Sequence, residues 1–184
     1  MTELLRRVRR TPERLLHPLR RRKVLEAVRA RPRPARVLVL CHGNICRSPL
    51  AGALLAQALA PLGIAVQSAG FVGFNRPAPS DALAAAERQG VDLAAHRSRL
   101  LTADVARAAS LIVVMEASQR RLFCERFGRS PRDVLVLGDF DSLPVETRAI
   151  RDPLDQGQDV FHAVYSRIAR CVRELAQVLA ETRN

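Results

Sequence analysis

The apolar positions of this chain change period along its length. Arg36-Val37-Leu38-Val39-Leu40 is an almost unbroken apolar run, and similar short runs recur at about 64–68, 111–115 and 134–137. Short β-branched and leucine runs bounded by turn residues predict buried strands of a parallel sheet. Helical spacing takes over at about 48–60, 80–89 and 118–127, with a short piece after Thr102, where Ser80 is a natural N-cap for its helix. In the last segment, from about Gln158 to Ala180, Val160, Val164, Ile168, Val172, Leu175 and Leu179 mark one apolar helix face. Alternating strands and helices predict an α/β fold: a single domain whose central four-stranded parallel sheet carries helices on both faces. Ligands of such sheets bind at the carboxyl ends of the strands, here the loop after the first strand.

Composition agrees with one soluble core. The chain has 184 residues, 48% of them apolar, enough to bury one substantial interior. Ala51 to Val66 contains a single polar residue, Gln57, but is too short for a membrane span and is broken by Pro61 and Gly63. The N-terminus has basic residues but no apolar run of signal-peptide length, and four cysteines in a chain of this size do not form a secreted disulfide framework. These readings predict a cytoplasmic protein without a transmembrane segment. His17, His42, His96 and His162 are scattered without ligand spacing, so neither a metal nor another cofactor is expected.

Charge is unevenly spread. The first 36 residues hold 13 of the 30 basic side chains and 3 of the 18 acidic ones, so the high net charge belongs mostly to them. Residues 1–34 therefore read as a basic extension, disordered or partly helical, ahead of a domain spanning 35–184. Thr11-Pro12-Glu13 is a helix start, and Leu15, Leu16 and Leu19 form a weak apolar stripe that Pro18 should interrupt. Such a segment can contact an acidic partner or an anionic surface. It has no aromatic residue to stack on bases, which disfavours nucleic acid.

The chemistry is concentrated in Cys41-His42-Gly43-Asn44-Ile45-Cys46-Arg47-Ser48-Pro49, between the first strand and the next helix. A cysteine, five residues and an arginine at a helix N-terminus form a cradle for phosphate, because backbone N–H groups and the helix dipole converge there on negative charge. The same field, with the guanidinium of Arg47, favours the thiolate of Cys41, and Arg47 can grip two phosphoryl oxygens at once. Gly43 would permit close backbone approach and Asn44 tolerates positive φ; Ser48 caps the helix ahead of Pro49 and can donate to the thiolate. A phosphoryl group transferred to Cys41 needs a proton for its leaving oxygen. Asp152, before Pro153 in a loop ahead of the last helix, can supply it, although Asp139, Asp141, Asp155 and Asp159 lie nearby.

These residues resemble the low-molecular-weight protein tyrosine phosphatases, in their bacterial branch, whose loop reads Cys-x-Gly-Asn-Ile-Cys-Arg-Ser-Pro. The likeness continues through Ser68-Ala69-Gly70, His96-Arg97-Ser98-Arg99, Val114-Met115-Glu116 and Asp152-Pro153, and covers about residues 36 to 181. It implies a metal-independent phosphotyrosine hydrolase working through a phosphocysteine on Cys41, with Arg47 as phosphate clamp and Asp152 as general acid. It further implies that His42, Gly43, Asn44, Ile45, Cys46 and Ser48 line the phosphate, that Ser68 and His96 support the loop, and that Cys46 can form a reversible disulfide with Cys41. The implied partner is a phosphotyrosine protein, such as a bacterial tyrosine kinase of polysaccharide export.

Several departures bear on substrate. Leu154-Asp155 replaces the aromatic pair that walls the substrate slot in many members, leaving Phe71 or Phe74 as an opposite wall. Ile45 stands where phosphoarginine phosphatases of this fold carry threonine. Thiol-dependent arsenate reductases need two further cysteines a few residues apart, whereas Cys124 and Cys171 are distant in sequence and read as packing residues. Tyr165 reads as a core-edge side chain. An inactive phosphate-binding adaptor is the remaining alternative.

Overall fold

The computed structural model describes residues 2–182, with side chains from residue 13 onward. Its elements run α1 (Thr2–Arg29), β1 (Arg36–Cys41), α2 (Arg47–Leu59), β2 (Ala65–Gly70), α3 (Ser80–Glu87), α4 (Ala103–Ala108), β3 (Leu111–Val114), α5 (Ala117–Phe127), β4 (Val134–Val136) and α6 (Gln158–Ala180). The strands form one parallel sheet in the order β2-β1-β3-β4. Alternate side chains of β1 enter two cores. Val37, Val39 and Cys41 pack with α2, α3 and α6 on one face, and Leu38 and Leu40 pack with Ile112, Val114 and Phe123 on the other. Strand pairing moves outward from β1 in both directions, so the loop after β1 lies where the connections diverge, the usual ligand position in such sheets.

The predicted elements are present, with instructive shifts. β2 lies later than its apolar pattern indicates, because its register with β1 runs from Arg36 opposite Ala65 to Cys41 opposite Gly70 and recruits the small residues Ser68-Ala69-Gly70. Ser48 is not the N-cap of α2: the helix begins at Arg47, Cys46 occupies the capping position, and its side chain makes no capping bond. Ser80 is likewise the first helical residue, with Pro79 before it. Thr102 does cap α4, accepting from the Val105 N–H at 3.3 Å.

The largest difference concerns α1, which continues through Pro18 instead of breaking there. Tertiary contacts outweigh the lost hydrogen bond. His17, Leu25 and Val28 are buried, the His17 ring donates from Nε2 to the Asp141 carbonyl at 2.9 Å, and Arg29 pairs with Glu181 at 2.7 Å. Arg21 pairs with Glu174 and Arg29 with Glu181, so α1 and α6 run in the same direction. Glu13 accepts from the Arg148 N–H at 3.3 Å, which brings the middle of α1 beside the segment leading to Asp152. That segment is itself pinned: the fully buried carboxylate of Asp141 is held by Arg167 at 2.9 Å and Arg170 at 3.2 Å, both on α6.

Candidate active site

β1 delivers Cys41 to the mouth of a tight loop and α2 begins directly after it. The Ser48 hydroxyl donates to the Cys41 sulfur at 3.0 Å. Its lone pair accepts from Asn44 Nδ2 at 2.9 Å, and its single proton goes to the sulfur in preference to the Ala69 carbonyl, which is at the 3.5 Å edge of hydrogen-bond range. Asn44 is the hub of the loop. It is fully buried in a left-handed conformation (φ 51°), which asparagine tolerates better than most side chains. Its Nδ2 also donates to Ser68 Oγ at 3.0 Å, and its Oδ1 accepts from the Arg99 N–H at 2.9 Å. Its carbonyl accepts from His96 Nε2 at 2.7 Å; because a carbonyl cannot donate, that nitrogen carries the proton.

Arg47 is 2% exposed and its guanidinium joins distant parts of the chain. Nη1 donates to the Ile150 carbonyl at 3.0 Å and to Glu116 Oε1 at 3.3 Å, and Nη2 pairs with Asp152 Oδ2. Its Nε has no partner among the described residues. Asp152 is held in turn by the Leu154 N–H, which its Oδ1 accepts at 3.4 Å, and by Gln156, which donates to its carbonyl at 2.7 Å. Sulfur, guanidinium and carboxylate thus share one site, although Asp152 lies 105 positions after Arg47.

The structure sorts the other sequence candidates. Cys41, Asn44, Arg47, Ser48, Ser68, His96 and Asp152 are brought together. His42 is exposed, whereas the Ile45 and Cys46 side chains are buried in the core, so these two residues face the loop's interior through their backbone alone. Burial, with the charges of Asp152 and Cys41, pushes the Cys46 thiol up to about 12, which keeps it protonated at neutral pH. Gly43 is not where the backbone comes close within the protein. A methyl group there would meet its nearest neighbour, Ile45, at an ordinary 3.7 Å, but one on Gly70 would come within 2.9 Å of His42 O, Gly43 C and Asn44 N. The loop rests against the bare backbone of β2.

Four contributors escaped the reading of side-chain roles. Glu116 and Gly70 fall inside the quoted motifs but carried no assigned part. Arg99 also falls inside a quoted motif, but it acts through its backbone N–H, which its side-chain identity does not signal. Tyr165 is fully buried and donates to the Cys46 carbonyl at 2.9 Å, so it braces the loop from α6. Among the aromatic candidates Phe71 is core and Phe74 is 74% exposed, leaving Phe74 as the available ring beside Asn75, His96 and Arg99. Leu154 packs against the core edge. Cys171 is buried on α6, its thiol pushed up to about 12 by burial, and Cys124 packs on the opposite face of the sheet. No group of three metal-ligating side chains occurs among the described residues.

Comparison with known proteins places these features in context. Residues 36–184 match the family model for low molecular weight phosphotyrosine protein phosphatase. The chain is 35% identical over 145 residues to the low molecular weight protein-tyrosine-phosphatase Etp of Escherichia coli K12, covering 78% of this chain and 94% of that one. The crystal structure of the Erwinia amylovora tyrosine phosphatase AmsI superimposes with a TM-score of 0.71 at 31% identity, over 78% of this chain and 92% of that one. The YwlE arginine phosphatase from Geobacillus stearothermophilus gives the same TM-score at 30% identity, over 80% and 94% of the two chains.

Proposed function

The chain belongs to the low-molecular-weight protein tyrosine phosphatase family, and we propose that it hydrolyses phosphotyrosine through Cys41, Arg47 and Asp152. Cys41 Sγ attacks phosphorus, forming an S–P bond while the bond to the tyrosyl oxygen breaks and Asp152 gives that oxygen its proton. Asp152 then takes a proton from the water that cleaves the S–P bond, releasing orthophosphate and returning the thiolate. The N–H groups of 42–46, at the start of α2, receive the equatorial oxygens, and Arg47 holds two of them. The reaction needs no metal.

The observation that carries this reading is the directed hydrogen bond from Ser48 to the Cys41 sulfur, 3.0 Å long, inside a loop closed by a buried arginine that also pairs with Asp152. That bond stabilises sulfur as a thiolate, both as attacking group and as leaving group from the phosphocysteine. The partner is a phosphotyrosine protein. A tyrosine kinase of polysaccharide export is the finer assignment that the family resemblance implies.

The test is hydrolysis of an aryl phosphate and of a phosphotyrosine peptide in chelator by the unaltered protein, Cys41→Ser and Asp152→Asn. Full loss at Cys41→Ser, partial loss at Asp152→Asn and trapped phosphocysteine on rapid acid quench support the mechanism. A folded, unaltered protein that is inactive on both compounds overturns it, and phosphoarginine assayed in parallel identifies the YwlE-like alternative. The arsenate-reductase reading has no support in the site: Cys124 and Cys171 pack in different cores, on opposite faces of the sheet.

A further inference from the structure

α1 lies before the residues matched by the family model, and one of its faces has no partner among the described residues. His17, Leu25 and Val28 point into the domain. On the opposite side Leu15, Leu16 and Leu19 are 72%, 48% and 50% exposed. Three exposed leucines within five residues of one packed helix are costly to leave in water. In the sequence the same i, i+3 and i+4 spacing continues upstream at Val8, Leu5 and Leu4.

Charge identifies what covers this face. Residues 2–29 contain ten arginines and lysines against three glutamates. Arg22 and Lys23 follow Leu19 by three and four positions, placing their charges one turn along the leucine face. Arg14 and Lys23 make no ion pair with any described residue, and Arg22 has only an exposed contact of 3.7 Å with Glu26. A second copy of the chain would bring two strongly positive helices together, which repulsion opposes. An acidic peptide would satisfy the charges and leave the leucines wet. An apolar stripe bordered by basic side chains, on a helix too polar to cross a bilayer, matches the boundary between anionic headgroups and acyl chains.

We propose that α1 binds anionic membrane surfaces, inserting Leu15, Leu16 and Leu19 while His17, Leu25 and Val28 keep it packed on the phosphatase domain. α1 runs in the same direction as α6, and Glu13 touches the segment that leads to Asp152. The bound helix therefore holds the domain at the bilayer, with the segment that leads to Asp152 beside α1.

The test uses the full chain in flotation with vesicles of phosphatidylcholine alone or with about one third phosphatidylglycerol. The chain has no tryptophan, so Leu16→Trp supplies a clean fluorescence reporter of insertion. Expected are binding to the anionic vesicles only, a blue shift of the reporter, weakening in high salt, and at least a ten-fold loss of affinity in the triple variant Leu15→Ser, Leu16→Ser, Leu19→Ser. Aryl phosphate turnover in solution should be unchanged in that variant, which shows that the fold is intact. No flotation, or flotation equal in the triple variant, overturns the proposal. So does a leucine-dependent dimer in sedimentation without vesicles, which would make a second copy the occupant.

Discussion

Replacing Gly70 by alanine tests the idea that the catalytic loop is shaped from outside as much as from within. The added methyl would lie 2.9 Å from three backbone atoms, His42 O, Gly43 C and Asn44 N, whereas ordinary contacts begin at 3.4 Å. The shortfall is about half an ångström, and backbone cannot rotate away as a flexible side chain does. Either β2 separates from β1 or the loop rises, and the loop is held by four side-chain bonds through Asn44 and by Ser48. Overpacking of this kind costs ~1–3 kcal/mol. For a chain of this size that is a fall in Tm of roughly 2–10 °C. The larger effect is on rate: under the proposed mechanism, moving the Cys41 sulfur and the loop N–H groups by a fraction of an ångström from the in-line geometry should cost about 10–100-fold in kcat, with a smaller change in KM. The assay is steady-state hydrolysis of an aryl phosphate beside thermal unfolding, with Gly43→Ala as the internal comparison because a methyl there meets only ordinary contacts. Gly70→Ala with wild-type kcat, or a Tm drop larger in Gly43→Ala than in Gly70→Ala, would refute the packing argument.

Other expectations follow from the same contacts. Asp152→Asn removes the carboxylate that occupies Arg47 Nη2, so orthophosphate should inhibit this variant several-fold more tightly even though kcat falls about 100-fold; unchanged or weaker inhibition would show that Asp152 does not compete for the guanidinium. Cys46 and Cys171 both have thiols raised to about 12 by burial, so the folded protein holds protons that the unfolded chain releases above 9.0. Their contribution to stability is complete below that value and is lost between 9 and 12, at up to ~1.4 kcal/mol per pH unit for each thiol; a urea midpoint flat across this range contradicts the assignment. Native iodoacetamide labelling near neutral pH, read by peptide mapping, should accordingly leave both cysteines unmodified. Tyr165→Phe strips the Cys46 carbonyl of its donor in a fully buried site and should lower stability by ~1–3 kcal/mol in urea titration.

Most of the sheet is legible because β1, β3 and β4 are buried almost throughout and therefore read as continuous apolar runs. Where strand residues are small the signal fails: Ala69 and Gly70 belong to β2 because β1 offers hydrogen bonds beside them and because only a glycine fits under the loop, and neither reason is local. α1 shows the opposite failure. Pro18 is a local veto on helix, and it was overruled by His17, Arg21 and Arg29 finding partners in elements that lie more than a hundred residues away. Within the site, Cys41, Arg47 and Ser48 could be read from spacing, since one loop and one helix start place all of them. Gly43 drew attention because it sits in the motif, yet the steric need lies across the sheet at Gly70.

The contacts of Arg47 explain why so much of the chain is committed to one small loop. A guanidinium that is 2% exposed needs anionic and carbonyl partners, and it finds them in Glu116 at the end of β3, Ile150 and Asp152. Ile150 is tied to the same strand end by its N–H, which donates to the Met115 carbonyl at 2.9 Å. The segment carrying Asp152 is thus fixed twice, once to β3 and once to the arginine that the loop itself contributes. Upstream, the buried Asp141 ties that segment to Arg167 and Arg170, so α6 and β3 hold it at both ends. The long irregular stretch between β4 and α6 is thereby held beside the loop that carries Cys41 and Arg47. Removing Asp141 as Asp141→Ala leaves two part-buried arginines without their carboxylate, a loss of charge-assisted hydrogen bonds of ~1.5–3 kcal/mol. If the stretch is an anchor for Asp152, the substitution should also lower kcat for substrates with poor leaving groups more than for those with good ones, because only the former depend on the position of the acid. Equal loss for both leaving groups would instead mean that Asp141 supports the fold without positioning Asp152.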